Sequence, residues 1–294
     1  MSSPPEQRRK FPLQLDGLNK PPRKVVASPV PGKSVAVAVA QAFEPARVAP
    51  PVLRPQQPLH QAATESARVF KPANAGLDPS GVRKRMVDRL QKDGLAHPAV
   101  IDAMNQVPRH AFVDAALVSQ AYEDTSLPIG LGQTISKPSV VARMIELLMS
   151  GANSRASGVL GQTLEIGTGC GYQAAVLARL SRQVMSIERL KPLHDKAREL
   201  LAPLRLTNIR LVYGDGMRGH PPNAPYNSII AAAGGSALPP AWLEQLAVGG
   251  RLVAPVQDAS GSRQVLMVVD RTEDGYTHSV HEAVNFVPLK PGMN

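Results

Sequence analysis

Residues 162–178 constrain the fold more than any other stretch of this 294-residue chain. An apolar run ends in Leu164-Glu165-Ile166 and meets Gly167-Thr168-Gly169-Cys170-Gly171-Tyr172. Ala174, Ala175, Val176 and Leu177 then continue the chain as a helical run. A strand that turns on glycines into a helix is the opening unit of a sheet wrapped by crossover helices. The glycines permit a sharp turn and a close approach to a ligand, and the unpaired amides of the helix start attract a polar group. Downstream, apolar runs predict strands near 162–166, 183–188, 208–213, 227–233, 250–256, 264–270 and 280–288, with helices in most of the gaps. The last two links, Ala259-Ser260-Gly261 and Glu273-Asp274-Gly275, are too short for a helical crossover. A seven-stranded sheet, mostly parallel with an antiparallel edge, is therefore expected.

Upstream, the cap-like Asp78-Pro79-Ser80 precedes Val82, Met86, Val87 and Leu90 at helical spacing, and Gly94 stops that helix. A second helix fits Pro98 to Gln106, and Pro108 closes it. The turn-forming residues 127–138 read as a long ordered loop, followed by a helix from about Ser139 to Met149. Residues 1–78 differ in kind. They hold 13 of the 28 prolines, with 11 Lys and Arg against 5 Asp and Glu, and no sustained apolar face. Such a segment is expected to stay disordered. The remaining 216 residues carry 22 basic and 18 acidic side chains, so more than half of the net charge of +10 lies outside the folded part. That distribution argues against a nucleic-acid groove on the folded domain, because such a groove concentrates its charge on a folded surface.

A dinucleotide loop would carry its third glycine at position 172, where this chain has Tyr172. The spacing present, E-x-G-x-G-x-G, resembles that of S-adenosylmethionine-dependent methyltransferases. Glu165 leads the loop, where a carboxylate suits a ligand bearing an ammonium and a sulfonium. Glu188 ends the second strand, where a carboxylate can accept both ribose hydroxyls. Asp215, within Gly214-Asp215-Gly216, follows the third strand, where that superfamily places an acid on the adenine amino group. The resemblance thus implies S-adenosyl-L-methionine as methyl donor and S-adenosyl-L-homocysteine as product. It implies donor-binding residues Glu165, Gly167, Gly169, Gly171, Glu188, Asp215 and Gly216.

Other stretches are more specific. From Arg85 onward the chain resembles protein-L-isoaspartate O-methyltransferases. The resemblance rests on Val107-Pro108-Arg109-His110-Ala111-Phe112-Val113, Ala121-Tyr122-Glu123-Asp124, the segment Leu127 to Ser136, Val141-Ala142-Arg143-Met144, Gly171 to Ala178, and Phe286-Val287-Pro288-Leu289. It implies a Rossmann-like doubly wound α/β core over 160–294 behind a helical N-terminal cap and substrate loop over 79–150. It also implies Ser136 as the catalytic position, with Gln133 and Thr134 toward the substrate. Isoaspartyl-containing proteins and peptides would be the partners and a monomer the expected state. The acceptor would be an α-carboxylate with a pKa of about 3.5, already ionised at neutral pH, so hydroxyls and an amide suffice where other transfers need a base. Read from local pattern alone, Ser136 is instead a helix N-cap, since the next helix starts just after Pro138. Asn227 stands where many family members carry an acid in the fourth strand, which puts a role for that acid in doubt.

Cys170, the one cysteine, excludes an intrachain disulfide, and the seven histidines show no paired metal spacing, so no metal site is expected. A small side chain is what a ligand loop wants at position 170, and no histidine lies close in sequence to activate a nucleophile there. No apolar run reaches the length of a signal peptide or a membrane span, which makes the cytoplasm the expected location. Two other readings stay open. A methyltransferase acting on RNA would account for the basic extension, and a cofactor-binding module without transfer would account for Asn227.

Overall fold

The computed structural model describes residues 79–294, so the expectation for residues 1–78 lies outside the described residues. Two helices, α1 (Pro79–Lys92) and α2 (Pro98–Gln106), lead into a hairpin of β1 (Leu127–Gly130) and β2 (Gln133–Ile135), then α3 (Pro138–Met149) and the short α4 (Ala152–Ser157). The remainder alternates: β3 (Gln162–Ile166), α5 (Tyr172–Ala178), β4 (Gln183–Glu188), α6 (Lys191–Leu201), β5 (Ile209–Tyr213), β6 (Tyr226–Ala231), α7 (Pro240–Glu244), β7 (Leu246–Gln257), β8 (Gln264–Thr272) and β9 (Gly275–Val284).

Seven strands form one sheet in the order β5-β4-β3-β6-β7-β8-β9. Strands β3 to β7 pair in parallel, while β8 runs antiparallel to both β7 and β9. The order turns back at β3: β4 and β5 lie on one side of it and β6 on the other. A reversal of this kind opens a crevice at the carboxyl ends of the strands, where α/β sheets bind ligands. The glycine loop leaves β3 at that point.

Parallel strands covered on both faces are mostly apolar. One face packs Leu164, Met185, Ile187, Ile229, Trp242 and Leu252 together. The other joins Val184, Ile230 and Val253 to Val176 and Leu177 of α5 and to Met86, Val100, Met104 and Ile145 of the leading helices, so these helices and the sheet share one core. Eight of the twelve residues of α3 are buried, and each large aliphatic side chain so placed contributes about 1.5–3 kcal/mol.

Two expectations need correction. The last strand spans Gly275–Val284 and not 280–288. Its start is set by the two-residue turn that pairs Thr272 with Gly275, which draws the polar Thr277, His278 and Ser279 into an exposed edge strand before the apolar residues arrive. The stretch 127–138, expected as a long ordered loop, is largely a β-hairpin. It pairs Leu127 with Ile135 and Pro128 with Thr134 around a turn in which Gly130, Leu131 and Gly132 all have positive φ.

Candidate active site

A cavity of about 260 Å³ opens at the carboxyl ends of β3, β4 and β6. The glycine loop, Ile187 to Leu190 and Gly216 build one side of it; the β1–β2 hairpin and the segment Val287 to Lys290 build the other. Gly169, at φ +56°, faces the hairpin, and a Cβ there would stand 3.2 Å from Ile129 Cδ1. The loop and the hairpin therefore meet closely, where a larger side chain would press on Ile129 and sit on strained backbone.

Glu188 is buried at the cavity wall and accepts hydrogen bonds from the Gly169 amide through Oε2 and the Leu190 amide through Oε1, both at 2.9 Å. Each oxygen keeps a further acceptor position, so the carboxylate both closes the loop and can receive a diol. Gly216 lines the same wall. A Cβ at Gly216 would come within 2.6 Å of Ile166 Cγ2, and its carbonyl accepts from Trp242 Nε1 at 2.8 Å. The Glu188 carboxylate and the glycine cradle together fit a ligand that carries a nucleoside.

Of the residues expected at the donor, Gly167, Gly169, Glu188 and Gly216 line the cavity, whereas Glu165, Gly171 and Asp215 do not. Glu165 lies behind the loop, fully buried. Ser186 Oγ donates to Glu165 Oε2 at 2.5 Å, which leaves Thr168 Oγ1 to donate to Ser186 Oγ at 2.6 Å. Burial pushes the Glu165 carboxyl up to about 8, only partly opposed by the hydrogen bond from Ser186. It thus stands mainly as a neutral acid supporting Thr168, and differs in this from the expected counter-charge for a sulfonium. Asp215 accepts from the Met217 amide and, across 77 residues, from the Gly292 amide, both at 2.9 Å. Burial raises the Cys170 thiol to about 11, which keeps it protonated and unreactive.

A second groove of about 720 Å³ adjoins the first cavity. Four residues line both: Thr134, Ser136, Ala232 and Val287. Gln133 lines only the first, its amide turned toward the Leu131 carbonyl at 3.4 Å. Ser136 is not the cap of α3. Lys137 occupies the cap position without a side-chain bond, and the cap comes from upstream, where Asp124 Oδ1 accepts from the Ser139 amide at 2.8 Å and Oδ2 from the Ser139 hydroxyl at 2.7 Å. The Ser136 hydroxyl is thereby left without a partner among the described residues, at the junction of the two cavities.

Sequence reasoning gives no role to Asp124, although its motif belongs to the family resemblance, nor to Arg109. Arg109 is fully buried with no carboxylate partner among the described residues; it donates from Nε to the Ala121 carbonyl at 2.8 Å and lies over the Tyr172 ring at 4.9 Å. Burial lowers its pKa, with Tyr172 the largest opposing influence. It fixes the turn that carries Asp124. Asn227 sits at the opposite end of β6 from the cavity, where its side-chain oxygen accepts from the Gln162 amide at 3.0 Å. An acid there could accept the same bond, so its replacement says nothing against transfer. Among the described residues no helix is long and apolar enough to cross a membrane, and no cluster of three potential metal ligands occurs.

Comparison with known proteins bears on this arrangement. The family model described as protein-L-isoaspartate(D-aspartate) O-methyltransferase matches residues 81–294. A protein-L-isoaspartate O-methyltransferase of Methylibium petroleiphilum is 64% identical over 84% of this chain and 91% of its own. That of Leptothrix cholodnii is 56% identical over 99% of this chain and 97% of its own, so the stretch before residue 79 also falls within this match. A solved protein-L-isoaspartate O-methyltransferase superposes with a TM-score of 0.64 at 26% identity, covering 72% of this chain and 67% of that one. The fold is likewise that of a Plasmodium falciparum protein-L-isoaspartate O-methyltransferase crystallised with S-adenosyl-L-homocysteine, at a TM-score of 0.59 and 23% identity, over 71% of this chain and 98% of that one.

Proposed function

Since the chain belongs to the protein-L-isoaspartate(D-aspartate) O-methyltransferase family, we propose that it methylates the free α-carboxylate of L-isoaspartyl residues in damaged proteins and peptides. S-adenosyl-L-methionine is the donor, and when bound it supplies a methyl group on a positively charged sulfur. Gly167, Gly169, Glu188 and Gly216 hold it along the first cavity, and the second groove receives the acceptor. Glu165, Gly171 and Asp215 act from behind that wall by fixing the loop and the strand ends.

The observation that carries this reading is the junction between the cavities. It offers the hydroxyls of Thr134 and Ser136 beside Ala232 and Val287 and, among the described residues, no side chain that titrates near neutral pH. A neutral hydroxyl or amine acceptor would need a base at that place. An isoaspartyl α-carboxylate needs none, because it arrives ionised. Ser136 and Thr134 orient it by hydrogen bonds, Gln133 shapes the donor side of the hairpin, and the hairpin excludes water. Alignment of this sort lowers a barrier by as much as about 7–11 kcal/mol in favourable intramolecular cases. The carboxylate oxygen forms the new bond to carbon as the carbon–sulfur bond breaks toward sulfur, so no proton moves. The released ester closes spontaneously to a succinimide, which reopens in part to normal aspartate, and the outcome is repair.

The test is incubation of the purified protein with methyl-labelled donor and, in parallel, an isoaspartyl peptide, its normal-aspartyl twin and total RNA. Base-labile label on the isoaspartyl peptide alone is expected. Label on RNA, or equal label on both peptides, contradicts the proposal.

A further inference from the structure

The second groove has a charge asymmetry that the transfer reaction does not itself require. Among the described residues its lining includes two cationic side chains, Lys137 and Arg263, and no acidic one. The acids on the bordering turn and strand are already engaged: Asp258 lies 3.3 Å from Arg263, and Glu282 lies 2.9 Å from Arg143. Lys137 has no ion-pair partner among the described residues, and its side chain is exposed. Its root is fixed in space. As the residue before Pro138 it is confined to extended backbone, at φ −52° and ψ 143°, and its carbonyl accepts from the Val141 amide at 3.1 Å. One free ammonium on a flexible stem is thus anchored a single residue from Ser136, at the rim where the acceptor chain must enter.

We propose that Lys137 is a specificity-determining residue that biases the enzyme toward isoaspartyl sites flanked by acidic residues; this rests on the activity proposed above. A reacting carboxylate within a flexible segment brings its neighbours to the same rim. Carboxylates there gain from the unpaired ammonium, while lysines meet repulsion and lose. Arg263, paired with Asp258, adds to the same field more weakly. The interaction is solvent-exposed, so its size is that of a surface ion pair and it is screened by salt.

The full-length protein is assayed with three isoaspartyl peptides of equal length, carrying Glu, Gln or Lys on both flanks. At low ionic strength kcat/KM is expected to fall in the order Glu, Gln, Lys by about threefold per step, the range of exposed pairs. The differences should shrink strongly at about 0.5 M salt, where the Debye length is only a few ångströms. K137Q should flatten the order and K137E reverse it, whereas K84Q, on a helix outside both cavities, should leave it as it is. An order that survives in K137Q, or three equal peptides in the unaltered protein, overturns the proposal while leaving the methyl-transfer reading intact. If no isoaspartyl peptide accepts label, both fall together.

Discussion

Ser136 and Glu165 show how differently two polar side chains on neighbouring elements can serve one site. Among the described residues the Ser136 hydroxyl has no partner and lines both cavities, and the proposed reaction pairs it with the incoming carboxylate. Ser136→Ala should lower kcat/KM on an isoaspartyl peptide by about tenfold to a hundredfold, the worth of one hydrogen bond to a charged group. The affinity for S-adenosyl-L-homocysteine, measured by calorimetry, should stay close to that of the unaltered protein. Glu165 instead makes stability depend on pH. Its carboxyl titrates at about 8 when folded, against an ordinary value of 4.5. Between those two values the folded chain binds more protons than the unfolded one, so stability declines as pH rises through that window. The thermal midpoint of the unaltered protein should therefore drop between pH 6 and about 8.5 more than that of Glu165→Gln, a tenfold difference in proton affinity between folded and unfolded chain being worth about 1.4 kcal/mol. Parallel pH profiles for the two proteins would show that Glu165 keeps its ordinary ionisation.

The β1–β2 hairpin depends on contacts outside itself. Asp124 ties the turn before it to the first turn of α3 beyond it, and Ile129 abuts Gly169 of the glycine loop. Asp124→Ala should cost about 0.5–2 kcal/mol in chemical denaturation, as loss of a helix cap does. It should also reduce turnover on isoaspartyl peptides, because the hairpin carries Thr134 and leads into Ser136. Asp124→Asn, which retains an oxygen acceptor, should recover part of that turnover. The hairpin is hard to read in the sequence for the same reason: four residues pair with three across a glycine-rich turn, too few for any alternation to stand out. Strands β3, β4, β6 and β7 are legible because burial on both faces gives each a short, mostly apolar run, such as Ile229 to Ala231 in β6 and Leu252 to Val256 in β7. The edge strand β9 falls elsewhere than its apolar residues suggest because a turn, and not side-chain hydrophobicity, decides where it begins. Acids at strand ends can be found by position. Which way they point cannot, since Glu165 and Glu188 belong to similar strands yet only the second reaches the cavity.

At the scale of the whole chain, the reversal of strand order at β3 brings segments far apart in sequence to one crevice. The glycine loop, the hairpin and the closing Phe286 to Leu289 all meet there, the last held by bonds from the Gly234 amide to the Val287 carbonyl and from the Leu289 amide to the Gly234 carbonyl. Among the described residues, both cavities are lined only by residues from Ser126 onward. Deleting residues 1–78 should accordingly leave turnover on short isoaspartyl peptides unchanged, as measured by initial rates with labelled donor. Finally, the chain's single tryptophan is hydrogen-bonded to the wall glycine at position 216. An indole in that position acts as an intrinsic optical sensor. Its emission should change when a nucleoside fills the crevice and should be silent in Trp242→Phe, so ligand occupancy can be followed in solution without attaching any dye.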